Sequence, residues 1–284
     1  NDAEDGPQVY GDEKTLKGPL PAVEVGAIVE EIHRIHDRES YFPAGVVGFF
    51  SFGASVPVRK SHVILDAPAA IPMKYVVHRL PGLEPARETK AGRIRLHFET
   101  GLLEPQDEDL DYAPADIARR PVLRFSTASS WNSIASSYSD IVDGRIRAGE
   151  LRELSAEIAG DAADRDEKIN RFLSFLKKNV RYTGVEFGDG SIVPSTPVET
   201  MERRFGDCKD KATALVALLR EAGIESFVAL LNTGPGNDTD PGLPGMGRFD
   251  HAIVHIPSNP ELWIDPTDEY ARLGELPDHD QGRL

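Results

Sequence analysis

Cysteine is almost missing from this 284-residue chain: Cys208 is the only one. A single thiol excludes an intrachain disulfide framework, although it does not fix the compartment, because disulfide-free proteins occur in oxidising compartments too. Basic residues are also scarce, 32 against 47 acids, which leaves a net charge of −15. Such a balance repels phosphate backbones, and no Lys/Arg stripe with interleaved aromatics reverses it, so nucleic acid is not expected as a partner. The plain reading of the acidity is solubility. Long apolar runs are absent as well: none reaches the ~18 residues of a membrane span. The opening Asn1-Asp2-Ala3-Glu4-Asp5 has neither a basic n-region nor an apolar h-region, so any signal peptide has been cut away or was never there. With Gly282-Arg283-Leu284 at the other end, the chain reads as a fragment of a longer protein.

What is present divides into two parts. The first 20 or so residues are polar and turn-rich, and from about 26 to 126 the chain reads as strands between turns. Runs such as Val46 to Phe50, Lys60 to Leu65 and Lys74 to His78 are strand-sized, and Pro57, Pro68, Pro72, Pro81 and Pro85 punctuate them. Arg93 to Phe98 alternates strictly, with Ile94, Leu96 and Phe98 on one face, the signature of a half-buried strand. Residues 1–126 are therefore expected to form a β-rich domain, an antiparallel sandwich or curled sheet, incomplete at its start.

Near residue 128 the period changes from 2 to 3.6. Trp131, Ile134, Ala135, Tyr138 and Ile141 define one helix, and Leu151 to Ala159 covers a second. A third begins at Asp164, which pairs with Glu167 as a capping couple. Thr196-Pro197-Val198-Glu199 opens a short fourth helix, with proline where its missing N–H costs nothing. Strand-like runs follow at Ser226 to Leu231, Ala252 to Ile256 and Leu262 to Ile264. Helices followed by strands predict an α+β domain over residues 127–284, with helices packed on an antiparallel sheet.

The chemistry concentrates around Phe205 to Leu215. Asp207 reads as an N-cap with Asp210 as its capping-box acid, Leu215, Leu218, Leu219 and Ala222 form one stripe, and Gly223 ends the helix. Cys208 is then the first helical residue. There the helix dipole favours thiolate, and the unpaired backbone N–H groups of the first turn can receive an oxyanion. Cys208 shares a face with Ala212, Leu215 and Leu219, so its sulfur points towards the sheet and needs a base on a strand. His251 opens such a strand and Asp265 ends the next, joined by a turn around Pro257 to Pro260. In these roles Cys208 attacks an acyl carbon, His251 carries the proton, and Asp265 fixes the imidazole.

Gly206-Asp207-Cys208-Lys209-Asp210-Lys211-Ala212, Phe249-Asp250-His251-Ala252-Ile253-Val254 and Trp263-Ile264-Asp265-Pro266-Thr267 together resemble bacterial members of the transglutaminase-like superfamily. Val180 to Gly184 and Pro197 to Arg204 resemble that family's approach to the nucleophile helix. The resemblance covers roughly 130 to 284 and extends more weakly to 20–126, which is similar to a β-rich domain of unknown function that often precedes such catalytic domains. It implies a papain-like core and transglutaminase, peptidase or amidase activity, with the same three residues as the triad. It also implies a periplasmic or secreted setting. One departure is Asp250, where Asn is expected before the histidine; the extra carboxylate would either raise the pKa of His251 or face solvent.

The expected function is thus thiol acyl chemistry on a peptide or protein amide through a thioester, with no cofactor. The rival is a non-catalytic peptide- or wall-binding module that keeps the fold. Tyr182 and Glu186 precede the nucleophile helix and line the cleft, with Tyr182 either assisting the oxyanion or packing beneath the site. Tyr182, Asp207 and Asp250 are the candidates for contact with substrate. The pairs His251/His255 and His33/His36 lack a companion cluster at metal spacing, so no metal site is expected. His62, His78 and His97 are read as surface residues. The Gly/Pro-rich loop from Thr233 to Gly245 has no phosphate-loop ending, and it either connects loosely or borders the site, since it runs into His251.

Overall fold

In the computed structural model, the residues described are 9–11, 14–15, 17–21, 23–40, 42–106, 120–234 and 238–284. The fold is α+β, with a β-rich part leading into helices packed on a sheet.

The β-rich part holds β2 (Val47–Ser51), β3 (Ser61–Pro68), β4 (Lys74–His78), β5 (Ala86–Lys90), β6 (Arg93–Thr100) and β7 (Val122–Ser126), after a short β1 (Val9–Gly11). They form two antiparallel sheets, ordered β2-β7-β4 and β3-β6-β5. The predicted alternation in β6 holds: Ile94, Leu96 and Phe98 are buried, while Arg93 and Arg95 reach Asp66 of β3 at 2.7 and 2.6 Å. The apolar faces meet in a core of Phe52, Ile94, Leu96, Phe98 and Leu123, where the Tyr75 and Phe98 rings stand edge-on at 5.1 Å. That contact joins one sheet to the other, because Tyr75 lies on β4 and Phe98 on β6. β5 escapes the sequence reading because all five of its residues are exposed and carry no buried alternation.

The rest of the chain contains α1 (Trp131–Asp143), α2 (Arg152–Ala159), α3 (Arg165–Asn179), β8 (Arg181–Tyr182), β9 (Gly184–Glu186), α4 (Pro197–Arg203), β10 (Phe205–Gly206), α5 (Cys208–Glu221), β11 (Phe227–Leu231), β12 (His251–Ile256) and β13 (Leu262–Ile264). Local chemistry sets most boundaries. Ser130 caps α1 reciprocally with Ser133, and Thr196 caps α4 with Glu199, with Pro197 in the first turn. At α3 only half of the expected capping couple forms. Asp164 accepts from the backbone of Asp166 and Glu167, but the Glu167 carboxylate turns to Arg171.

α5 departs from its expected single apolar stripe. Ala212, Ala214, Leu215, Val216, Ala217, Leu218 and Leu219 are all buried, so the helix is enclosed on every side. α2, α3 and α4 surround it, and it lies on the antiparallel sheet β11-β12-β13. Its end is a Schellman motif: Gly223 takes a positive φ of 76°, its N–H bonds Arg220 O, and Ile224 N–H bonds Leu219 O. Enclosure on all sides fixes the N-terminal turn of α5 with respect to the start of β12, which is what a site between them requires.

Two short parallel pairings were not legible in the sequence. β8 pairs with β10, setting Tyr182 beside Gly206, and β1 pairs with β9 through Val9↔Gly184 to Gly11↔Glu186. Part of the stretch read as polar and turn-rich is therefore a short strand paired with β9. His78 also departs from expectation. It is half-buried and faces Asp240 at 3.9 Å, and burial pulls its pKa below the usual histidine value. His62 is exposed and His97 partly covered, their rings 5.7 Å apart. Among the described residues, no helix is long and apolar enough to cross a membrane.

Candidate functional site

The N-terminal turn of α5 is built from the residues that precede it. Asp207 is the N-cap, with backbone φ −88° and ψ −167°; it accepts from Asp210 N, and Asp210 returns the bond to Asp207 N. Asp210 is also a junction: its carboxylate accepts from Ser195 N at 2.7 Å and from Arg203 at 2.5 Å, tying α5 to the start and end of α4. Gly206 is required by close approach, since a Cβ there would stand 2.6 Å from Asp210 Cβ. The buried Asp207 carboxylate pairs with the equally buried Lys209 ammonium. Asp207, a candidate for substrate contact, is thus occupied with capping and with Lys209.

Cys208 follows at the first helical position, half-buried. Against it stand two side chains from separate elements. The Tyr182 side chain stands near the sulfur, delivered by the β8–β10 pairing. Burial, followed by the nearby Cys208 and Asp207, pushes the phenol well above its ordinary pKa, so it stays a donor. His251 opens β12 and also stands near Cys208.

His251 Nε2 lies 3.1 Å from Asp265 Oδ2, with both side chains largely buried. The other ring nitrogen, Nδ1, is then the one free to serve the sulfur. Burial alone would lower the imidazole's pKa, but the hydrogen bonds and charges of Asp265 and Cys208 outweigh it and raise the value to about 10. Asp265 follows β13, whose antiparallel pairing with β12 (Val254↔Ile264) brings it back beside His251 as expected. Its second oxygen accepts from Thr267 N at 2.8 Å and Thr267 Oγ1 at 2.7 Å. Burial would raise this carboxyl, yet the His251 and Thr267 interactions hold it below its ordinary value.

Asp250, next to His251 in sequence, directs its side chain to the residues that follow β11. Its carboxylate accepts from Thr233 N at 2.7 Å, Thr233 Oγ1 at 3.1 Å and Gly234 N at 3.0 Å. It pins the exit of β11 to the entry of β12. Residues 235–237 of the loop fall outside the described set, but its second half borders α1 and β7: Trp131 Nε1 donates to Pro241 O at 2.8 Å, and Ser126 Oγ donates to Pro244 O. Of the other expected histidine sites, His33 meets Glu31 at 3.3 Å, and His255 stacks on Trp263 with centroids 4.3 Å apart.

One group beside the site was missed. Asp280, in the turn after Pro277, has a carboxylate oxygen that lies with a ring nitrogen of His251 and an oxygen of Asp265 inside a 4.8 Å cluster. Both Asp265 oxygens are already engaged by His251 and Thr267, whereas those of Asp280 are not hydrogen-bonded. The Pro277-Asp278-His279-Asp280 run carries no periodicity or catalytic spacing to flag it.

Both parts of the chain match known protein-family models. Residues 152–266 match the transglutaminase-like superfamily, and residues 1–106 match a domain of unknown function with a solved structure, DUF3857. The fold is similar to that of a "putative protease" from Parabacteroides distasonis ATCC 8503, with a TM-score of 0.63 and 14% identity over 81% of this chain and 47% of that one. The chain therefore spans about half the length of that protein. Fainter likenesses are to a "putative cysteine protease" from Cytophaga hutchinsonii (TM-score 0.37, 13% identity, 80% and 78% of the two chains) and the periplasmic domain of TgpA from Pseudomonas aeruginosa (TM-score 0.32, 16% identity, 77% and 72%). No curated protein matches the chain.

Proposed function

We propose that this chain, which carries a transglutaminase-like superfamily domain behind a DUF3857 domain, performs thiol-dependent acyl chemistry on peptide or protein amides. The division between the two parts is taken at residues 126 and 127, where β7 gives way to the approach to α1. Cys208 is the nucleophile, His251 the proton carrier and Asp265 the group that orients it. The observation that carries the reading is the Asp265–His251 hydrogen bond of 3.1 Å, on an imidazole whose remaining nitrogen is left free near a thiol at a capped helix N-terminus.

The steps follow from those positions. The Cys208 sulfur, its proton held by His251, adds to the amide carbon, and the carbonyl pair moves onto oxygen. That oxyanion forms beside the first-turn N–H groups of α5 and the Tyr182 hydroxyl, which is kept protonated by its surroundings. Collapse breaks the C–N bond, and the amine leaves with the proton from His251. The thioester left on Cys208 is then attacked by water or by a second amine, which gives its proton to His251 as the thiolate departs. Water yields an acid, and an amine yields a new amide.

The test is a screen of the protein against peptide and amide libraries, with and without a primary amine, read by mass. Acid products assign hydrolysis and amine adducts assign transamidation; Cys208→Ala is expected to abolish both. The reading fails if Cys208→Ala retains activity, or if an electrophile labels Cys208 no faster than a free thiol at neutral pH.

A further inference from the structure

Asp280 is placed by its own turn and then held there. Its N–H bonds Pro277 O at 3.0 Å, and the following residues fasten the segment: Gln281 to Leu276 O at 2.7 Å, Arg283 to His279 O at 3.0 Å and to Thr233 O at 3.4 Å. The segment lies along the site, with the His279 ring 6.5 Å from that of His251. The Asp280 side chain is fully covered, yet neither carboxyl oxygen has a hydrogen-bond partner among the described residues. His279 is its nearest basic group, 3.4 Å away, without a hydrogen bond between them.

An ordinary structural role does not account for this. Asp240, Asp265 and Asp268 each accept from the backbone N–H two residues on, as turn aspartates do. Asp280 makes no such bond; instead one of its oxygens, one of Asp265 and a ring nitrogen of His251 all lie within 4.8 Å of one another. A buried carboxylate with no donor is costly, and two carboxylates this close do not both ionise readily. A proton on Asp280 removes both difficulties, because a neutral acid can donate to the neighbouring carboxylate.

We infer that Asp280 is a positioning residue of the site, donating a hydrogen bond as a neutral carboxylic acid to the Asp265 carboxylate and so fixing the group that orients His251. The inference rests on the reading of His251 and Asp265 as catalytic partners. Burial first, then the charge of Asp265, raises the Asp280 carboxyl to about 6, against the opposing pull of His251 and His279. Below that pH Asp280 is a donor. Above it Asp280 is a second anion, which repels Asp265 and competes for the positive charge on His251. The titratable groups that face it are Asp265 after β13, His251 on β12 and its own neighbour His279, while the charge of Lys211 on α5 is felt by Asp265.

The experiment uses the full chain as wild type, Asp280→Asn and Asp280→Ala, between about pH 5 and pH 8. Two quantities are followed: the His251 ring nitrogens by NMR, and the rate of Cys208 alkylation by iodoacetamide. The wild type is expected to show a step in both, centred near the Asp280 midpoint. Asn donates from its amide at every pH, so Asp280→Asn should lose the step and hold the low-pH behaviour throughout. Asp280→Ala should lose the donor altogether and alkylate about tenfold more slowly at pH 5, an amount typical of losing one coupled hydrogen bond. A wild-type step retained in Asp280→Asn, or Asp280→Ala superimposing on Asp280→Asn, overturns the inference. The NMR signal needs neither substrate nor turnover. An inert Cys208 beside a titration step that vanishes in Asp280→Asn would therefore sink the catalytic reading alone.

Discussion

Val47 of β2 projects against Gly247, where a Cβ would stand 2.7 Å from Val47 Cγ2; one on Gly245 would stand 1.8 Å from Cγ1. The socket is formed by the loop that ends four residues later at His251, so the β-rich part grips the approach to the candidate base. Together with the Trp131–Pro241 and Ser126–Pro244 bonds, this clamps the second half of the loop to the rest of the molecule.

Gly247→Ala is expected to destabilise the protein by about 1–3 kcal/mol through overpacking. Val47→Ala opens space on the other side, so the double variant should recover most of that loss. Thermal unfolding of the two singles and the double gives the coupling directly. Additive effects would show that the contact does not carry the fit. Cys208 alkylation measured on the same proteins then reports whether the grip reaches the site.

The three candidate residues stand out in the sequence because each sits at an element boundary with its own chemical signature. Asp207 and Asp210 announce the start of α5, the β12 run begins at His251, and a proline-rich turn returns the chain to Asp265. The two antiparallel sheets of the β-rich part were legible through period-2 runs such as Ile94-Leu96-Phe98. Long-range partners with no local pattern were not. The pairing that brings Tyr182 to Cys208 is two residues long, too short for any period to register. Asp280 sits in a turn whose meaning depends wholly on what packs against it, and the enclosure of α5 arises from its neighbours and not from a wider stripe of large apolar residues.

Protonation of His251 links stability to pH. Its folded value, about 10, stands above the ordinary 6.5, so its contribution is fully present below the unfolded value and disappears as pH rises through the folded one. Replacing His251 by Gln should therefore cost about 2 kcal/mol near pH 6 and progressively less towards pH 10. Denaturant midpoints of both proteins across that window test this. A gap that stays constant with pH would mean that His251 is not charged in the folded protein.

Tyr182→Phe keeps the ring and removes only the hydroxyl beside Cys208. Packing survives, so the unfolding free energy should change by no more than about 1 kcal/mol. If the hydroxyl stabilises the oxyanion, kcat should fall by about tenfold or more with little change in KM, since that bond strengthens only in the transition state. A reduced KM effect without a kcat effect would assign Tyr182 to substrate contact instead, and no change in either would leave it a packing residue.

Asp250 offers the clearest separation of electrostatics from geometry. It stands next to His251 in sequence, yet its carboxylate accepts three hydrogen bonds from Thr233 and Gly234. If its part is to pin β11 to β12, Asp250→Ala should lose about 1–2 kcal/mol, fewer than three full bonds because the site is exposed to solvent. Asp250→Asn keeps a side-chain carbonyl for Thr233 and should lose roughly half of that. His251 titration, followed by NMR, should barely move in Asp250→Asn, because the charge is removed while the pin is largely kept. A drop in the His251 midpoint as large in Asp250→Asn as in Asp250→Ala would instead make Asp250 an electrostatic partner of the imidazole, and the loop contacts incidental.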